Sequence, residues 1–279
     1  MRWTPGGVSD NIEDRRSGGG FGGGRSVGLG GLLVAGVLSL IFGRDFVSPL
    51  LNSGGGGGAA VSTEADQQRS RAEEPAVQFV SFVLDAAQQT WSRLLGPEYR
   101  PAKLVLFRQA VESACGVAGA ETGPFYCPGD QKVYIDLSFF DELDQRFGAP
   151  GDFAQAYVLA HEIGHHVQTL MGVSRKVRQA QASNPSSANE LSVRMELQAD
   201  CFAGIWGHST NQRNILEQGE VTEGLAAAAA VGDDRIQKQA TGRVNPESFT
   251  HGSSEQRAQW FRRGFDTGDL AACDTFARR

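Results

Sequence analysis

The sequence predicts an α+β protein: a mainly helical domain with a small antiparallel sheet, preceded by one transmembrane helix and a glycine-rich linker. Apolar residues recur at helical spacing through the C-terminal two-thirds, two short runs are typical of strands, and an uncharged stretch lies near the N-terminus. The chain of 279 residues is long enough for one sizeable domain with appendages. Its net charge of −6 argues against a nucleic-acid partner, which would favour a basic surface.

The N-terminal part of the chain predicts an arm followed by a membrane span. Residues 1–26 are polar and rich in glycine, so we expect a disordered arm. Residues 27–43 carry no charge over 17 positions, which is near the lower limit of about 17–25 residues for a spanning helix. A buried soluble helix and a cleaved signal peptide are the alternatives, but the run ends in "GRDFVSPLL", which does not fit a small-residue cleavage site. We therefore expect residues 27–43 to contact the lipid bilayer.

The charges that flank this span predict its orientation. Four arginines precede it and one follows it closely, namely Arg2, Arg15, Arg16 and Arg25 before the span and Arg44 after it. Positively charged residues stay on the cytoplasmic side of a membrane. We expect a single-pass protein of the cell membrane, with a cytoplasmic N-terminus and an extracytoplasmic domain that would be periplasmic in a Gram-negative bacterium.

The rest of the chain predicts a flexible linker over residues 44–74 and a folded domain over residues 75–279. Apolar positions at helical spacing predict a helix from the start of this domain to Gly96. The runs "AKLVLFR" and "QKVYIDLSFF" predict two strands separated by a long loop, and the second strand continues into a helix.

Two longer helices follow in the second half of the domain. One is predicted to be capped by Asp152 and ended by Gly172. The other is predicted to begin at the S-x-x-E cap of Ser187 and Glu190 and to end at Gly207. Both helices carry apolar stripes, so we expect each of them to pack against the core.

Two histidines stand four residues apart on the first of these helices, in "HEIGHHVQ". Residues i and i+4 share a helix face, so His161 and His165 can each direct an imidazole nitrogen at one metal ion. Glu162 lies about 100° further round the helix, beside such an ion. The pattern can arise by chance on an amphipathic helix, but it also fits the hydrolytic mechanism of zinc enzymes. Zinc lowers the pKa of bound water to about 7, and a nearby carboxylate can take the proton.

A catalytic zinc site needs a third protein ligand. Zinc proteases with a third histidine on the same segment would need glycine at 168 and histidine at 171, and Gln168 and Met171 exclude that class. The stretch "MELQADCFAG" instead places Glu196 and Asp200 on one face of the second helix. Glu196 can be the third ligand of one Zn²⁺, and Asp200 can accept a hydrogen bond from a ligand histidine and fix its tautomer. The alternative is a solvated helix face, but apolar residues follow these carboxylates directly.

The pair of motifs resembles the gluzincin pattern of zinc proteases. More closely, the chain resembles the bacterial neutral zinc metallopeptidase family over nearly its whole length except the glycine linker, through the segments "MRWTPGGVSDNIEDRR", "GPFYCPGDQKVYIDLSFF", "ELQADCFAGIW", "GDDRIQ" and "FTHGSSEQRAQWFRRGF". The resemblance implies a membrane-anchored, zincin-like metalloprotease domain, with "KLVLFR" and "KVYIDL" in a small sheet above the metal-binding helix. An exposed edge there could pair with an extended substrate, and the alternative is that both strands are only core.

The late pattern T-H-x-x-x-x-x-R around His251 resembles one found in membrane-linked gluzincins. It implies that His251 can donate to the oxyanion of a tetrahedral intermediate, an interaction worth about 3–4 kcal/mol. The alternative is a residue at the entry of the following helix, which Ser253 or Ser254 would cap. We expect His166 and His208 to take no part in the site.

Together these features predict a membrane-anchored zinc metalloendopeptidase that hydrolyses a peptide or protein substrate, with Glu162 as general base. The alternatives are a zinc-stabilised binding or scaffold protein without turnover, and an envelope amidase acting on a non-peptide substrate. Glu162 favours an enzyme, because a structural zinc site needs no base and usually has four protein ligands.

The chain has four cysteines, Cys115, Cys127, Cys201 and Cys273, and no pair has C-x-x-C spacing. They form either buried free thiols or two disulfides, depending on the compartment. In an extracytoplasmic domain the local pair Cys115–Cys127 would leave Cys201–Cys273, although the sequence allows three pairings. Cys201 as a zinc ligand is a further alternative, but the two carboxylates already account for that helix face.

Overall fold

The computed structural model describes residues 1–16, 64–145, 147–149 and 151–277. Within these residues the predicted mainly helical α+β class is confirmed, with eight α-helices, a four-stranded sheet and a separate two-stranded hairpin. The helices are α1 (Glu64–Leu95), α2 (Phe139–Gln145), α3 (Asp152–Leu170), α4 (Val173–Ser183), α5 (Ala188–Gln212), α6 (Glu220–Ala230), α7 (Asp233–Thr241) and α8 (Ser254–Thr267). The strands are β1 (Ile12–Asp14), β2 (Lys103–Phe107), β3 (Ala110–Ser113), β4 (Gly116–Gly119), β5 (Phe125–Cys127) and β6 (Lys132–Asp136).

The four-stranded sheet has the order β1-β2-β6-β5 and is mixed, so the prediction of an antiparallel sheet is wrong. β1 and β6 pair with β2 in parallel, and only the edge strand β5 runs antiparallel to its neighbour β6. The chain between β2 and β6 passes through the β3–β4 hairpin and β5, and a connection of this length lets two neighbouring strands run in the same direction. The two strands that the sequence predicts are therefore the centre of the sheet.

Residues 1–16 belong to the folded unit, so the predicted disordered arm over residues 1–26 is wrong for this part of the chain. β1 extends the sheet, and the indole of Trp3 packs edge-on against Phe79 of α1, with ring centroids 5.3 Å apart. Arg16 is buried and donates a hydrogen bond of 3.0 Å to Glu73. The composition that suggests disorder is concentrated from Gly18 onward, outside the described residues.

α1 begins at Glu64, so it extends into the segment predicted as a linker. Glu73 lies in this extension and accepts hydrogen bonds from Arg16 at 3.0 Å and from Arg108 at 2.7 Å. Burial raises the pKa of Glu73, but the two guanidinium groups lower it overall. These ion pairs hold a polar stretch of helix against the sheet. Apolar periodicity in the sequence does not indicate such a stretch, because its contacts are made by charged side chains.

The prediction of a transmembrane helix, and with it of a single-pass membrane protein with a cytoplasmic N-terminus, is wrong. In the part of the chain that the structure describes, the helices are all too short or too polar to cross a bilayer. Residues 27–43, to which the span was assigned, lie outside that part. One crossing between residues 16 and 64 would also place β1 and β2 on opposite sides of a membrane, whereas these strands are hydrogen-bonded neighbours in one sheet.

The ends of the two long helices follow the predictions only in part. Gly172 ends α3 in the left-handed conformation, with φ of 75°, as predicted. The predicted side-chain caps of Asp152 and Ser187 are absent, because Gly151 is the N-cap of α3 and the Ser187 hydroxyl bonds to the carbonyl of Asn184. Gly207 lies inside α5 rather than at its end.

Two disulfides link the four cysteines in the pairing predicted from local spacing. Cys115–Cys127 joins the turn of the β3–β4 hairpin to the edge strand β5. Cys201–Cys273 joins α5 to the C-terminal segment across a sequence separation of 72 residues. Because Cys201 is bonded in this way, it is not available as a metal ligand.

Helices α5 and α8 approach each other so closely that their backbones touch. A Cβ atom at Gly264 would lie 1.9 Å from the carbonyl oxygen of Cys201, and one at Gly204 would lie 2.1 Å from that of Phe261. Only glycine fits at these two positions without displacing a helix. The close approach allows buried polar side chains of the two helices to meet about one to two turns earlier.

We expect Gly264→Ala to lower the free energy of unfolding by about 3 kcal/mol or more, because overpacking costs about 1–3 kcal/mol even where side chains can move, and here the neighbour is backbone. Gly6→Ala is the matched control, since the same methyl group meets no atom within 4 Å there. Urea denaturation of the metal-free proteins measures both. Equal midpoints for Gly264→Ala and wild type would contradict the close approach of α5 and α8.

Candidate metal centre

The structure brings together the three residues predicted as metal ligands. His161 and His165 stand one turn apart on α3, and Glu196 approaches them from α5. Nε2 of His161 lies 3.1 Å from one carboxylate oxygen of Glu196, and Nε2 of His165 lies 3.4 Å from the other. One donor atom from each residue lies within 4.8 Å of the others. These three donors can therefore converge on a single ion.

Asp200 contacts the first of the two histidines. Its carboxylate is fully buried, and Nδ1 of His161 lies 2.8 Å from its Oδ1 atom. A buried carboxylate accepts hydrogen bonds, so Nδ1 carries a proton, and release of the other ring proton from Nε2 leaves the Nδ1–H tautomer. This tautomer is the one that a metal ligand at Nε2 requires.

Gln168 orients the second histidine, a contact that its position in the sequence does not predict. Its amide oxygen lies 2.9 Å from Nδ1 of His165, while its amide nitrogen donates to the carbonyl of Met195 at 2.7 Å. The side chain is fully buried, so these hydrogen bonds fix its rotamer. Both histidines are thus held at Nδ1, and both leave Nε2 directed at Glu196.

Asp200 also binds two residues that helical spacing in the sequence does not place at the site. The hydroxyl of Tyr157 donates to Oδ1 at 2.5 Å, and Arg257 of α8 donates to Oδ2 through Nε at 2.9 Å and to Oδ1 through Nη2 at 3.0 Å. All three side chains are buried. Arg257 is the arginine of the late T-H-x-x-x-x-x-R pattern, so its position in the motif was the only signal available.

The two carboxylates of the centre are held in their charged form by the cationic groups around them. Burial alone would lower the pKa of His161, but Asp200 and Glu196 raise it to about 9. Burial would raise the pKa of Glu196, but the two histidines bring it well below its usual value. For Asp200, burial is likewise outweighed by Arg257 and His161, so its pKa is lowered. Both carboxylates therefore remain ionised at neutral pH.

Glu162 stands apart from the three candidate ligands. Its side chain is only 8% exposed, and among the described residues nothing hydrogen-bonds to its carboxylate. Burial raises its pKa, and the histidines on either side partly oppose this. A buried carboxylate with a raised pKa and a free oxygen is a competent proton acceptor beside a reacting water.

His251 lies on the loop before α8, and Asp233 holds that loop. One oxygen of Asp233 accepts the backbone N–H groups of Thr250, His251 and Gly252 at 2.7, 2.6 and 3.1 Å. Its other oxygen lies 3.1 Å from Nδ1 of His251. Asp233 comes from "GDDRIQ", one of the segments that carry the family resemblance.

The same loop packs against the helix that carries Glu196. A Cβ atom at Gly252 would contact Val193 and Leu197 at 3.3 Å, and these residues flank Glu196 on α5. His251 also contributes to the low pKa of Glu196. The imidazole of His251 is half exposed, so it borders the centre from the solvent side.

The two remaining histidines lie outside the group of candidate ligands. His166 is buried, with its ring nitrogens 3.2 Å from the hydroxyl of Tyr126 and 2.6 Å from the carbonyl of Arg100. It therefore connects α3 to the edge strand β5. His208 contacts the carbonyl of Phe265 at 2.7 Å, on the far part of α5.

A family model described as "Putative neutral zinc metallopeptidase" matches residues 1–276. The chain belongs to this family. The resemblance noted in the sequence is thereby confirmed, and at the level of the family the protein is a zinc metallopeptidase. The match includes the N-terminal segment that forms β1, in agreement with its place in the fold.

Relatives in two groups of bacteria cover much or all of the chain. "Uncharacterized protein YpfJ" of Escherichia coli K12 is 48% identical over 290 aligned positions, which cover 100% of this chain and 99% of the relative. "Uncharacterized protein Rv2575" of Mycobacterium tuberculosis H37Rv is 46% identical over 204 positions, 69% of this chain and 68% of the relative. No solved structure matches the chain.

The donor set fits zinc, the metal that the family implies. Two imidazoles and one glutamate are a known ligand set of catalytic zinc, with a fourth position left for water or substrate. The hydrogen bonds at Nδ1 of both histidines provide the orientation that zinc ligands usually receive from neighbouring groups. In this member of the neutral zinc metallopeptidases, His161, His165 and Glu196 are thus suited to hold one ion.

We expect Arg257→Leu to lower the free energy of unfolding by about 3–5 kcal/mol, because it leaves the buried carboxylate of Asp200 without its cation. Arg262→Leu is the matched control on the same helix, since its ion pair with Asp266 is exposed, and a change within about 0.5 kcal/mol is expected. Urea denaturation of chelator-treated protein gives both values. A loss no larger than that of the control would contradict the contribution of this ion pair.

The pH dependence of the Arg257→Leu effect follows from the pKa of Asp200. Because that pKa is lowered in the folded protein, the carboxylate contributes stability above its unfolded value of 3.8, and this contribution is lost as the pH falls. The difference between wild type and Arg257→Leu should therefore narrow as the pH falls below about 4.

Proposed function

We propose that the protein is a zinc-dependent metalloendopeptidase in which His161, His165 and Glu196 hold one zinc ion and Glu162 acts as general base. The observation that carries this proposal is the convergence of two imidazole Nε2 atoms on one glutamate, with a second, unpaired glutamate beside them. A purely structural zinc site would usually be closed by four protein ligands and would have no use for the second carboxylate.

Zinc, when bound, would supply Lewis acidity, polarising a peptide carbonyl and lowering the pKa of a water molecule to about 7. The protein's own groups do the rest. The carboxylate of Glu162 removes the proton of the attacking water and passes it to the nitrogen of the departing amine. The burial that raises the pKa of Glu162 makes its carboxylate a stronger proton acceptor for the first half of this transfer.

His251 is proposed to stabilise the negative charge that develops on the carbonyl oxygen. Burial would lower its pKa, but the hydrogen bond to Asp233 raises it, which favours the imidazolium form with two N–H donors. Nδ1 is engaged by Asp233, so Nε2–H remains for the substrate. A donor of this kind contributes about 3–4 kcal/mol to transition-state stabilisation.

The edge strand β5 is the proposed guide for the substrate main chain. The resemblance implies that the strands "KLVLFR" and "KVYIDL" could offer an edge, but β2 and β6 lie inside the sheet, and among the described strands β1 and β5 are at its edges. β5 contacts α3 through Tyr126 and His166, and Tyr126 borders the space beside His165 and Glu196. An extended peptide can add to such an edge through main-chain hydrogen bonds, which favours a peptide substrate.

The first test separates the ligands from the base. We expect His161→Ala to lose zinc, whereas Glu162→Gln should keep its zinc and its fold and lose about 10²–10⁴-fold in kcat, because the amide cannot accept a proton. Elemental analysis and hydrolysis of an unfolded protein substrate measure the two properties. Loss of zinc in Glu162→Gln would make Glu162 a ligand, and full activity in that variant would exclude it as the base. A zinc-loaded wild type that cleaves no substrate would favour the scaffold alternative.

The second test concerns His251 and its anchor. We expect His251→Ala to keep zinc and lose about 10²–10³-fold in kcat, the range measured for single oxyanion donors. Asp233→Asn should cause a smaller loss, because the histidine remains but is held less firmly. His208→Ala is the matched control, since this histidine lies outside the centre. Equal kcat values for His251→Ala and His208→Ala would exclude the proposed role.

A further inference from the structure

A cavity of about 280 Å³ opens directly beside the candidate metal centre. His165 and Glu196 form one side of it. The other walls come from β5 and the residue after it, from α4 and from the first half of α5, through Tyr126, Pro128, Val177, Arg178, Gln181 and Met195. Its size suits one amino-acid side chain, and its position suits the substrate residue next to the bond that is cleaved.

Most polar groups of this cavity are already satisfied within the protein. The side-chain amide of Gln181 donates to the hydroxyl of Ser192 and to the carbonyl of Ala188, both at 3.0 Å. The hydroxyls of Thr169 and Ser174 lie 3.1 Å apart and bond to each other. The buried Val177 and the side chain of Met195 add apolar surface. A neutral polar ligand would therefore find few free partners here.

Arg178 is the exception. It lines the cavity, and among the described residues nothing accepts a hydrogen bond or forms an ion pair with its guanidinium group. It belongs to a helix, α4, that contains Arg175, Lys176 and Arg178 and no acidic residue, in a chain whose net charge is −6. None of these three cations is paired within the described residues. An unpaired guanidinium at a cavity wall is suited to a planar carboxylate, which it can bind through two hydrogen bonds.

We propose that this cavity receives the substrate side chain next to the cleaved bond and that Arg178 selects a group ending in a carboxylate. This inference rests on the proposed function, since it names the substrate class of that same centre. The carboxylate could be the side chain of glutamate or aspartate inside a peptide, or the α-carboxylate of a C-terminal residue. Both sources present the same chemistry to Arg178, and the experiment below separates them.

The test uses zinc-loaded protein and fluorescent alanine-rich peptides that differ only in one central residue, Glu, Gln or Lys, each with a free or an amidated C-terminus. Mass spectrometry locates the cleaved bond. We expect cleavage beside Glu with kcat/KM about 10–100-fold above that for Gln, the range for a hydrogen bond to a charged group. If amidation leaves this preference unchanged, the side chain is the source. If activity instead needs a free C-terminus one or two residues from the bond, the α-carboxylate is the source.

Two variants assign the preference to Arg178. Arg178→Gln should remove the advantage of the acidic peptides, and Arg178→Glu should shift the preference to Lys. Lys176→Gln is the matched control, because it removes the same charge from the same helix at a residue that does not line the cavity. A wild type without acidic preference, or an Arg178→Gln profile identical to that of Lys176→Gln, would overturn the inference.

A binding measurement keeps this inference separate from the proposed function. Fluorescence anisotropy of the same peptides with Glu162→Gln reports affinity without turnover. We expect the acidic peptides to bind about 10–100-fold more tightly than the Gln peptides, and Arg178→Gln in that background to abolish the difference. If acidic peptides bind selectively but nothing is cleaved by wild type, the proposed hydrolysis fails while the cavity's selectivity stands. If wild type cleaves the peptides but the acidic peptides do not bind selectively, the cavity's selectivity fails while the proposed hydrolysis stands.

Discussion

The metal centre depends on the hydrogen bonds and the ion pair made by the buried carboxylate of Asp200. It accepts hydrogen bonds from Tyr157 and His161 on α3 and from Arg257 on α8, and it stands on α5 one turn after Glu196. Removing a carboxylate and a guanidinium from water costs several kcal/mol for each ion, so this pair is tolerated only because the geometry satisfies both groups. The ion pair fixes the relative positions of three helices, which meet at the two carboxylate oxygens of Asp200. The same oxygens orient the ligand histidine.

The packing around this carboxylate explains why the helices can meet there. Gly204 and Gly264 remove the side chains that would separate α5 from α8, and the capping box of Ser253 and Gln256 fixes the start of α8 just before Arg257. Gln168 contacts Nδ1 of His165 as Asp200 contacts Nδ1 of His161, but through a neutral amide. The two histidines therefore differ in their electrostatic surroundings although they occupy equivalent places on one helix face.

The sequence predicted the parts of the site that depend on spacing within one helix. His161 with His165 and Glu196 with Asp200 are separations of four, and a helix places such pairs on one face whatever the rest of the fold does. Arg257, Asp233 and Gln168 were not predicted as site residues, because their roles depend on contacts between segments far apart in the chain. The prediction of antiparallel strands was wrong for a similar reason, since apolar alternation indicates a strand but not the direction of its neighbour. The N-terminal segment was misjudged because composition was averaged over residues 1–26, and β1 is only three residues long.

The Cys201–Cys273 bond has a consequence for the unfolded chain. The ring that it closes contains Asp233, His251 and Arg257, and it starts at the residue after Asp200. With a span of 72 residues, such a cross-link removes loop entropy worth about 4 kcal/mol from the denatured ensemble in the chain-entropy description. The bond therefore raises the effective concentration of Arg257 near Asp200 in the unfolded chain, before either helix forms. In a reducing medium that advantage disappears, and α8 with its loop is then held against α5 by non-covalent contacts alone.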